Sequence, residues 1–160
     1  GLPLSVLVFD ASLDVWQRGE HRGTFRGNQL AMAAGTKTLQ IIRRDKLCRH
    51  ATAMGKRLLQ GLKEIASSEP DIVGEVRGRG LMVGMEIVHG TAAKSGCPPP
   101  HGTERAARIQ REALKRGLII ECGGRHSCVI RFLPALISEK EHIDRSIGII
   151  ADAIKASGDT

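Results

Sequence analysis

Aromatic side chains are almost missing from this sequence of 160 residues, which has no Tyr, one Trp and three Phe. That scarcity tells against a nucleic-acid surface, because only Trp16, Phe9, Phe25 and Phe132 are on hand to stack on bases. No apolar run approaches the roughly 18 residues a membrane helix needs, which excludes a transmembrane protein. Gly1-Leu2-Pro3-Leu4 has no basic stretch ahead of its apolar residues and no Met, so it reads as neither a secretory signal nor a native start. The four cysteines, Cys48, Cys97, Cys122 and Cys128, are unevenly spaced and form no CxxC pair. Free thiols in a reducing, cytoplasmic setting are therefore expected in place of a disulfide framework. Repeats and low-complexity segments are also absent.

What is present is a chain 41% hydrophobic and 26% charged. That is apolar enough to fold around a core, so a disordered tail is excluded. The net charge of +7 invites a nucleic-acid reading, and its distribution weakens it. Between Thr36 and Lys63 lie Lys37, Arg43, Arg44, Lys46, Arg49, Lys56, Arg57 and Lys63 against the single acid Asp45, which accounts for the whole excess. Leu47, Ala51, Met54, Leu58, Leu62 and Ile65 recur there at steps of three and four. The segment is thus an amphipathic helix whose charges form a solvated face.

The remaining elements alternate. Residues 4–9, Leu4-Ser5-Val6-Leu7-Val8-Phe9, suit a buried strand, and a polar, glycine-containing stretch runs on to Gly27. Asn28 opens a helix to about Arg44 with Leu30, Ala31, Ala34, Thr38, Ile41 and Ile42 on one side. The basic helix ends before Pro70. Residues 72–78 and 81–88 read as strands broken at Gly78-Arg79-Gly80, the second of them central. Residues 90–102, with Pro98-Pro99-Pro100, read as a surface loop. Residues 103–116 form a charged helix stopped at Gly117. Residues 118–121 and 128–132 are short strands around a turn at Cys122-Gly123-Gly124-Arg125. Ser138 and Glu141 fit a capping box, after which Ile143, Ile147, Ile150 and Ile154 make a core-facing stripe. The order implies an α/β or α+β layer, a small sheet with helices packed on one face.

Few residues carry chemistry by pattern alone. Gly78-Arg79-Gly80-Leu81-Met82-Val83-Gly84 has the wrong spacing for a dinucleotide fingerprint and leads into a strand, where phosphate binding needs a helix N-terminus. His126 between Cys122 and Cys128 lacks a second ligand cluster, so no metal site is expected. Ser5 is not a nucleophile elbow. Two places remain. Residues 21–28 end at a helix N-terminus, where the Thr24 hydroxyl and backbone N–H groups can converge on a phosphate or simply cap the helix. Arg131 sits in the apolar run Cys128-Val129-Ile130-Arg131-Phe132-Leu133-Pro134. It is suited either to a planar carboxylate ligand or to a neighbouring acid or solvent.

Four stretches carry a resemblance: Gly1-Leu2-Pro3-Leu4-Ser5-Val6; His21 with Thr24-Phe25 and Gly27-Asn28-Gln29-Leu30-Ala31; Glu75-Val76-Arg77-Gly78 with Gly80-Leu81; and Ile130-Arg131-Phe132-Leu133-Pro134. Together, and in this order, they resemble the C-terminal part of the class III (ω-type) aminotransferases, pyridoxal-phosphate enzymes of fold type I. Leu13-Asp14-Val15-Trp16, Gly19-Glu20-His21 and Gly123-Gly124-Arg125-His126-Ser127 most resemble the family's diaminobutyrate aminotransferases, which pass an amino group from 2,4-diaminobutyrate to a 2-oxo acid. Acetylornithine, ornithine and 4-aminobutyrate enzymes share the broader motifs, and a non-catalytic binding module of the same descent is the other reading.

The resemblance implies roles and a division of the chain. Thr24 matches the threonine that binds the pyridoxal 5′-phosphate phosphate across a homodimer interface, and Gly23 stands where some relatives have Ser. Arg131 matches the arginine that pairs with a substrate carboxylate. Ala135 stands where close relatives commonly have a second Pro. Residues 1–27 correspond to the end of the large cofactor-binding domain and its interface loop, and 28–160 to the small C-terminal domain. The family's cofactor-bonding lysine and its pyridine-pairing aspartate lie upstream of the stretch that opens this sequence. No catalytic residue is therefore assigned, and the chain by itself is expected to be inactive. Its first segment, apart from a sheet, is expected to expose Leu2, Leu4, Val6 and Val8.

Overall fold

The computed structural model describes residues 2–24, 26–90 and 100–158, so Phe25 and loop residues 91–99, with Cys97, Pro98 and Pro99, lie outside the described residues. The chain divides into two compact units, Gly1–Lys46 and Leu47–Thr160. Among the described residues no helix is long and apolar enough to cross a membrane.

In the first unit, residues 4–9 belong to no helix or strand, and Leu4, Val6, Leu7, Val8 and Phe9 are exposed. The expected buried strand is not formed. A strand needs a ladder partner, and among the described residues none pairs with this segment. A single 3₁₀ turn over Ala11–Leu13 follows, capped by Asp10. Helix α1, Gln29–Arg44, begins where the Asn28 side chain accepts a hydrogen bond from the Ala31 N–H at 3.0 Å. Its anticipated apolar side is largely uncovered. Ala31 alone is buried, Ile41 and Ile42 are half-buried, and Leu30 is exposed. Leu4 occupies the space that a side chain at Gly35 would need.

The second unit carries a core of its own. Helix α2, Leu47–Ser68, buries Ala51, Gly55, Leu58, Leu62 and Ile65. Every basic residue of the +7 segment is exposed, as a solvated face requires. Strands β1, Val73–Arg79, and β2, Met82–Ile87, form a hairpin closed by Gly80-Leu81, with Gly80 at φ +56°. Helix α3, Thr103–Lys115, stops ahead of Gly117 at φ +85°. Strands β3, Glu121–Gly123, and β4, Val129–Phe132, complete an antiparallel sheet in the order β1-β2-β4-β3. Helix α4, Lys140–Ala156, ends the fold.

Register decides which side of this sheet is covered. Val83 faces Phe132 and Met85 faces Ile130 across the β2–β4 seam, and these four with Ile87 are buried. The alternate positions Arg77, Met82 and Arg131 are exposed, and Gly84, Glu86 and Val129 partly so. Helix α2 packs on β1 and β2, α3 on β2, β3 and β4, and α4 on the two helices without reaching a strand. The fold is therefore α+β, with helices on one face, and Ile109, Ile143, Ile150 and Ile154 fill the layer between helices. Burial of each such side chain contributes about 1.5–3 kcal/mol.

Several element ends fall one residue from expectation, and two boundaries shift for a local physical reason. The third strand begins at Glu121, where residues 118–121 had been anticipated, because Ile119 points to solvent and the hairpin turn falls at Gly124 and Ser127, both left-handed. Helix α4 is capped one residue later than Ser138. Glu139 and His142 form the capping box, with the Glu139 N–H donating to His142 Nδ1 at 3.2 Å. Ser138 is already engaged, its N–H on the Ala135 carbonyl and its carbonyl on His50 Nε2.

Candidate functional site

Arg131 lies in β4, with glycines at two of the neighbouring positions on the adjoining strands. Its partner on β2 is Gly84 and its partner on β3 is Glu121. The guanidinium lies over Gly123, where a Cβ would come within 2.7 Å of Nε and 2.9 Å of Cζ. Nη2 donates to Glu121 Oε2 at 2.8 Å, and both side chains are about half or more exposed. Of the two sequence readings, the neighbouring acid is the partner seen. Such an exposed pair is worth only about 0–1 kcal/mol, so an incoming carboxylate could take Glu121's place at little cost. Glu121, Gly84 and Gly123 were not singled out from sequence, since only strand register places them beside Arg131.

The other candidate is the loop before α1. Thr24 is exposed, in a turn where the Arg26 N–H donates to the Gly23 carbonyl at 3.1 Å. Gly27 follows at φ +74°, bringing the chain to the Asn28 cap. Arg26 is anchored on His21, its Nη1 donating to the His21 carbonyl at 2.6 Å and its Nη2 contacting the imidazole. His21 in turn lies against Trp16, ring centroids 4.2 Å apart. The first turn of α1 contains no acid. Arg22, Gly23, Thr24 and Arg26 line one surface depression, and two arginines with a threonine hydroxyl are a donor set that fits a phosphate.

Cys122 and Cys128 are poor nucleophiles. Burial pushes the Cys122 thiol up from its ordinary value, and Cys128 nearby adds to the shift. Burial likewise raises Cys128, with Glu86 contributing. Thiolates are what react, so these two are poorly activated. The described cysteines Cys48, Cys122 and Cys128 are all free, as expected. Gly78 and Arg79 are the last paired residues of β1, one step further than the expected break, and the turn after them leads into β2 with no helix, which leaves a phosphate without N-terminal amides.

Known proteins resemble this chain over nearly its whole length. The family described as Aminotransferase class-III matches residues 1–154. A diaminobutyrate–2-oxoglutarate aminotransferase of Rhizobium meliloti is 47% identical over 163 residues, covering 99% of this chain and 34% of that protein. One from Haemophilus influenzae is 42% identical over 159 residues, covering 96% and 35%. Among solved structures, a Bacillus anthracis aminotransferase superposes with a TM-score of 0.73 at 32% identity, covering 86% of this chain and 30% of that one. A transaminase from the marine bacterium Virgibacillus gives 0.74 at 27% identity, covering 86% and 31%. The chain spans about a third of the length of the curated relatives it matches.

Proposed function

The chain belongs to the class III aminotransferases, and from that premise we propose that it supplies the small-domain part of an enzyme moving the terminal amino group of L-2,4-diaminobutyrate to 2-oxoglutarate. In that enzyme residues 1–27 complete the large domain and interface loop, 28–160 form the small domain, and two copies pair as a homodimer. The observation that carries the reading is Arg131, set between Gly84 and Gly123 on the uncovered side of the sheet with only an exposed acid as partner. Its planar guanidinium grips a carboxylate through two parallel N–H···O bonds and so fixes which carbon of an amino or 2-oxo acid faces the reacting group. Glu121 holds Arg131 when no substrate is present and yields it when one arrives.

Thr24, helped by Arg22 and Arg26, holds the phosphate of pyridoxal 5′-phosphate, consistent with the donor set of that loop. When bound, this cofactor supplies the electron sink for the proton shift at the amine-bearing carbon. The lysine that bonds to it in this family matches no position of residues 1–160. These residues alone therefore bind and orient without transferring an amino group.

The test uses the longer protein, with this segment joined to the upstream portion that the relatives have. Diaminobutyrate-dependent formation of glutamate is expected. Arg131→Gln is expected to lower kcat/KM for 2-oxoglutarate about a hundredfold or more, the loss of a charged bidentate pair worth roughly 3 kcal/mol. Preference for ornithine or 4-aminobutyrate would overturn the donor, and an Arg131→Gln enzyme with unchanged kinetics would overturn the role of Arg131.

A further inference from the structure

Three segments distant in sequence bring a thiol, an imidazole and a carboxylate together at one end of the sheet. Glu86 is on β2, Cys128 immediately precedes β4, and His101 belongs to a short stretch bridged to Val88. His101 Nδ1 lies 3.8 Å from Cys128 Sγ and 3.9 Å from Glu86 Oε1, and all three ligand atoms fall within 4.8 Å of one another. A tetrahedral ion with bonds of about 2.0–2.3 Å holds such atoms roughly 3.3–3.7 Å apart, so the two His101 distances need a few tenths of an ångström of closure and the Glu86–Cys128 pair at most about 1 Å, within reach of a side-chain rotation.

The backbone pins all three. The Ile87 N–H donates to the Cys128 carbonyl at 2.8 Å, the Gly102 N–H to the Ile87 carbonyl at 2.9 Å, and the His89 N–H to the Pro100 carbonyl at 2.8 Å. Gly102 packs so close to β2 that a Cβ there would meet the Val88 carbonyl oxygen at 2.8 Å. Outer groups orient the ligands as well. His126 stacks on His101 with centroids 3.8 Å apart and planes 18° from parallel. Arg77 Nη1 stands 3.7 Å from the far oxygen of Glu86, Oε2, leaving Oε1 turned towards His101.

We infer that Glu86, His101 and Cys128 form a binding site for a zinc ion, with a fourth position left to water. The mixed sulfur, nitrogen and oxygen set suits a borderline-soft divalent ion and disfavours magnesium or calcium. On binding, the Cys128 S–H bond breaks, the sulfur keeps the electron pair as thiolate ligand, and the proton leaves to solvent. The ion would tie β2, the start of β4 and the residues around His101 to one another. This assignment stands apart from the aminotransferase reading, because none of the three residues has a role in it.

The test is titration of the chain with zinc and, for a spectral signature, cobalt. One equivalent is expected to bind, with a thiolate-to-cobalt charge-transfer band and visible bands of tetrahedral intensity. Cys128→Ser should abolish the charge-transfer band, whereas Cys48→Ser and Cys122→Ser should leave it. Should Cys128→Ser misfold by circular dichroism, Glu86→Gln and His101→Ala, both at partly exposed positions, are expected to weaken zinc affinity about tenfold or more while keeping the fold. Failure of the chain to bind an equivalent of metal, a charge-transfer band that survives in a folded Cys128→Ser, or an affinity untouched by Glu86→Gln and His101→Ala would overturn the site.

Discussion

Three glycines inside the helices of the second unit let packing be separated from propensity. Gly55 and Gly61 lie in α2 and Gly148 in α4. Each Gly→Ala change recovers about 1 kcal/mol of helix propensity, so the differences among the three report what the added methyl meets. At Gly148 it meets nothing within 4 Å, and the variant should be more stable by about 0.5–1 kcal/mol. At Gly61 it meets Ile147, with Cδ1 at 2.5 Å and Cγ1 and Cγ2 at 3.1 Å. Ile147 is only half-buried and can turn aside, so gain and loss should nearly cancel. At Gly55 the obstacle is backbone: the Gly80 carbonyl, with Gly80 Cα at 2.8 Å. That connection is held by a left-handed glycine and cannot retreat without opening the hairpin. Overpacking of about 3 kcal/mol then outweighs the propensity, leaving a net loss near 2 kcal/mol. Urea unfolding followed by circular dichroism reads all three, and in heating experiments each kcal/mol moves the midpoint by about 4 °C or more. A Gly55→Ala protein as stable as the parent, or three equal shifts, would refute the close approach of α2 to that turn.

Gly123→Ala should leave the fold within about 1 kcal/mol of the parent, because the atom in the way is the end of a flexible arginine and the loss is one exposed ion pair. In the longer enzyme it should raise KM for 2-oxoglutarate about tenfold; unchanged KM would mean that the position of the guanidinium does not matter. Arg57 and Asp144 join α2 to α4, and the Arg57 hydrogen bond holds the Asp144 carboxyl below its ordinary value. A lowered carboxyl favours the folded state above its unfolded value, and the effect disappears as pH falls through the lowered one. Asp144→Asn and parent should therefore differ in midpoint at neutral pH, with the difference starting to shrink only near the ordinary carboxylate value of about 4 and vanishing below the lowered one. Cys48 is exposed whereas Cys128 is buried, so iodoacetamide followed by mass spectrometry should mark Cys48 first. Equal rates at both would contradict their placement.

The helices were legible because local chemistry sets them. Asn28 at the start of α1, the three-four stripe of α2 and Gly117 beyond α3 all act within a turn of where they stand. β2 could be placed centrally because it is apolar on nearly every position. What escaped depends on pairing. That Gly84 and Gly123 flank Arg131 follows from two strand registers, which sequence spacing does not encode. The same holds for Glu86, His101 and Cys128. Along the chain the neighbours of Cys128 are Cys122 and His126, whereas in space Glu86 and His101 approach it from other segments. At Ser138 and Glu139, two adequate caps compete, and a tertiary bond from His50 to the Ser138 carbonyl accompanies the later start.

The exposed stretch over residues 4–9 has a consequence for handling this chain. Leu4-Ser5-Val6-Leu7-Val8-Phe9 is a mostly apolar run with three β-favouring residues and no charge or proline, the composition from which cross-β ladders stack. With those side chains in solvent, the segment is available to pair edge to edge with another copy. The only nearby guard is Asp10. The Ser12 N–H at 2.9 Å and hydroxyl at 2.7 Å hold its carboxyl below the ordinary value and so keep it ionised into mild acid. Solutions of the chain should therefore stay clear longest where that single charge persists, and fibrils, where they form, should be seeded by a peptide of these six residues.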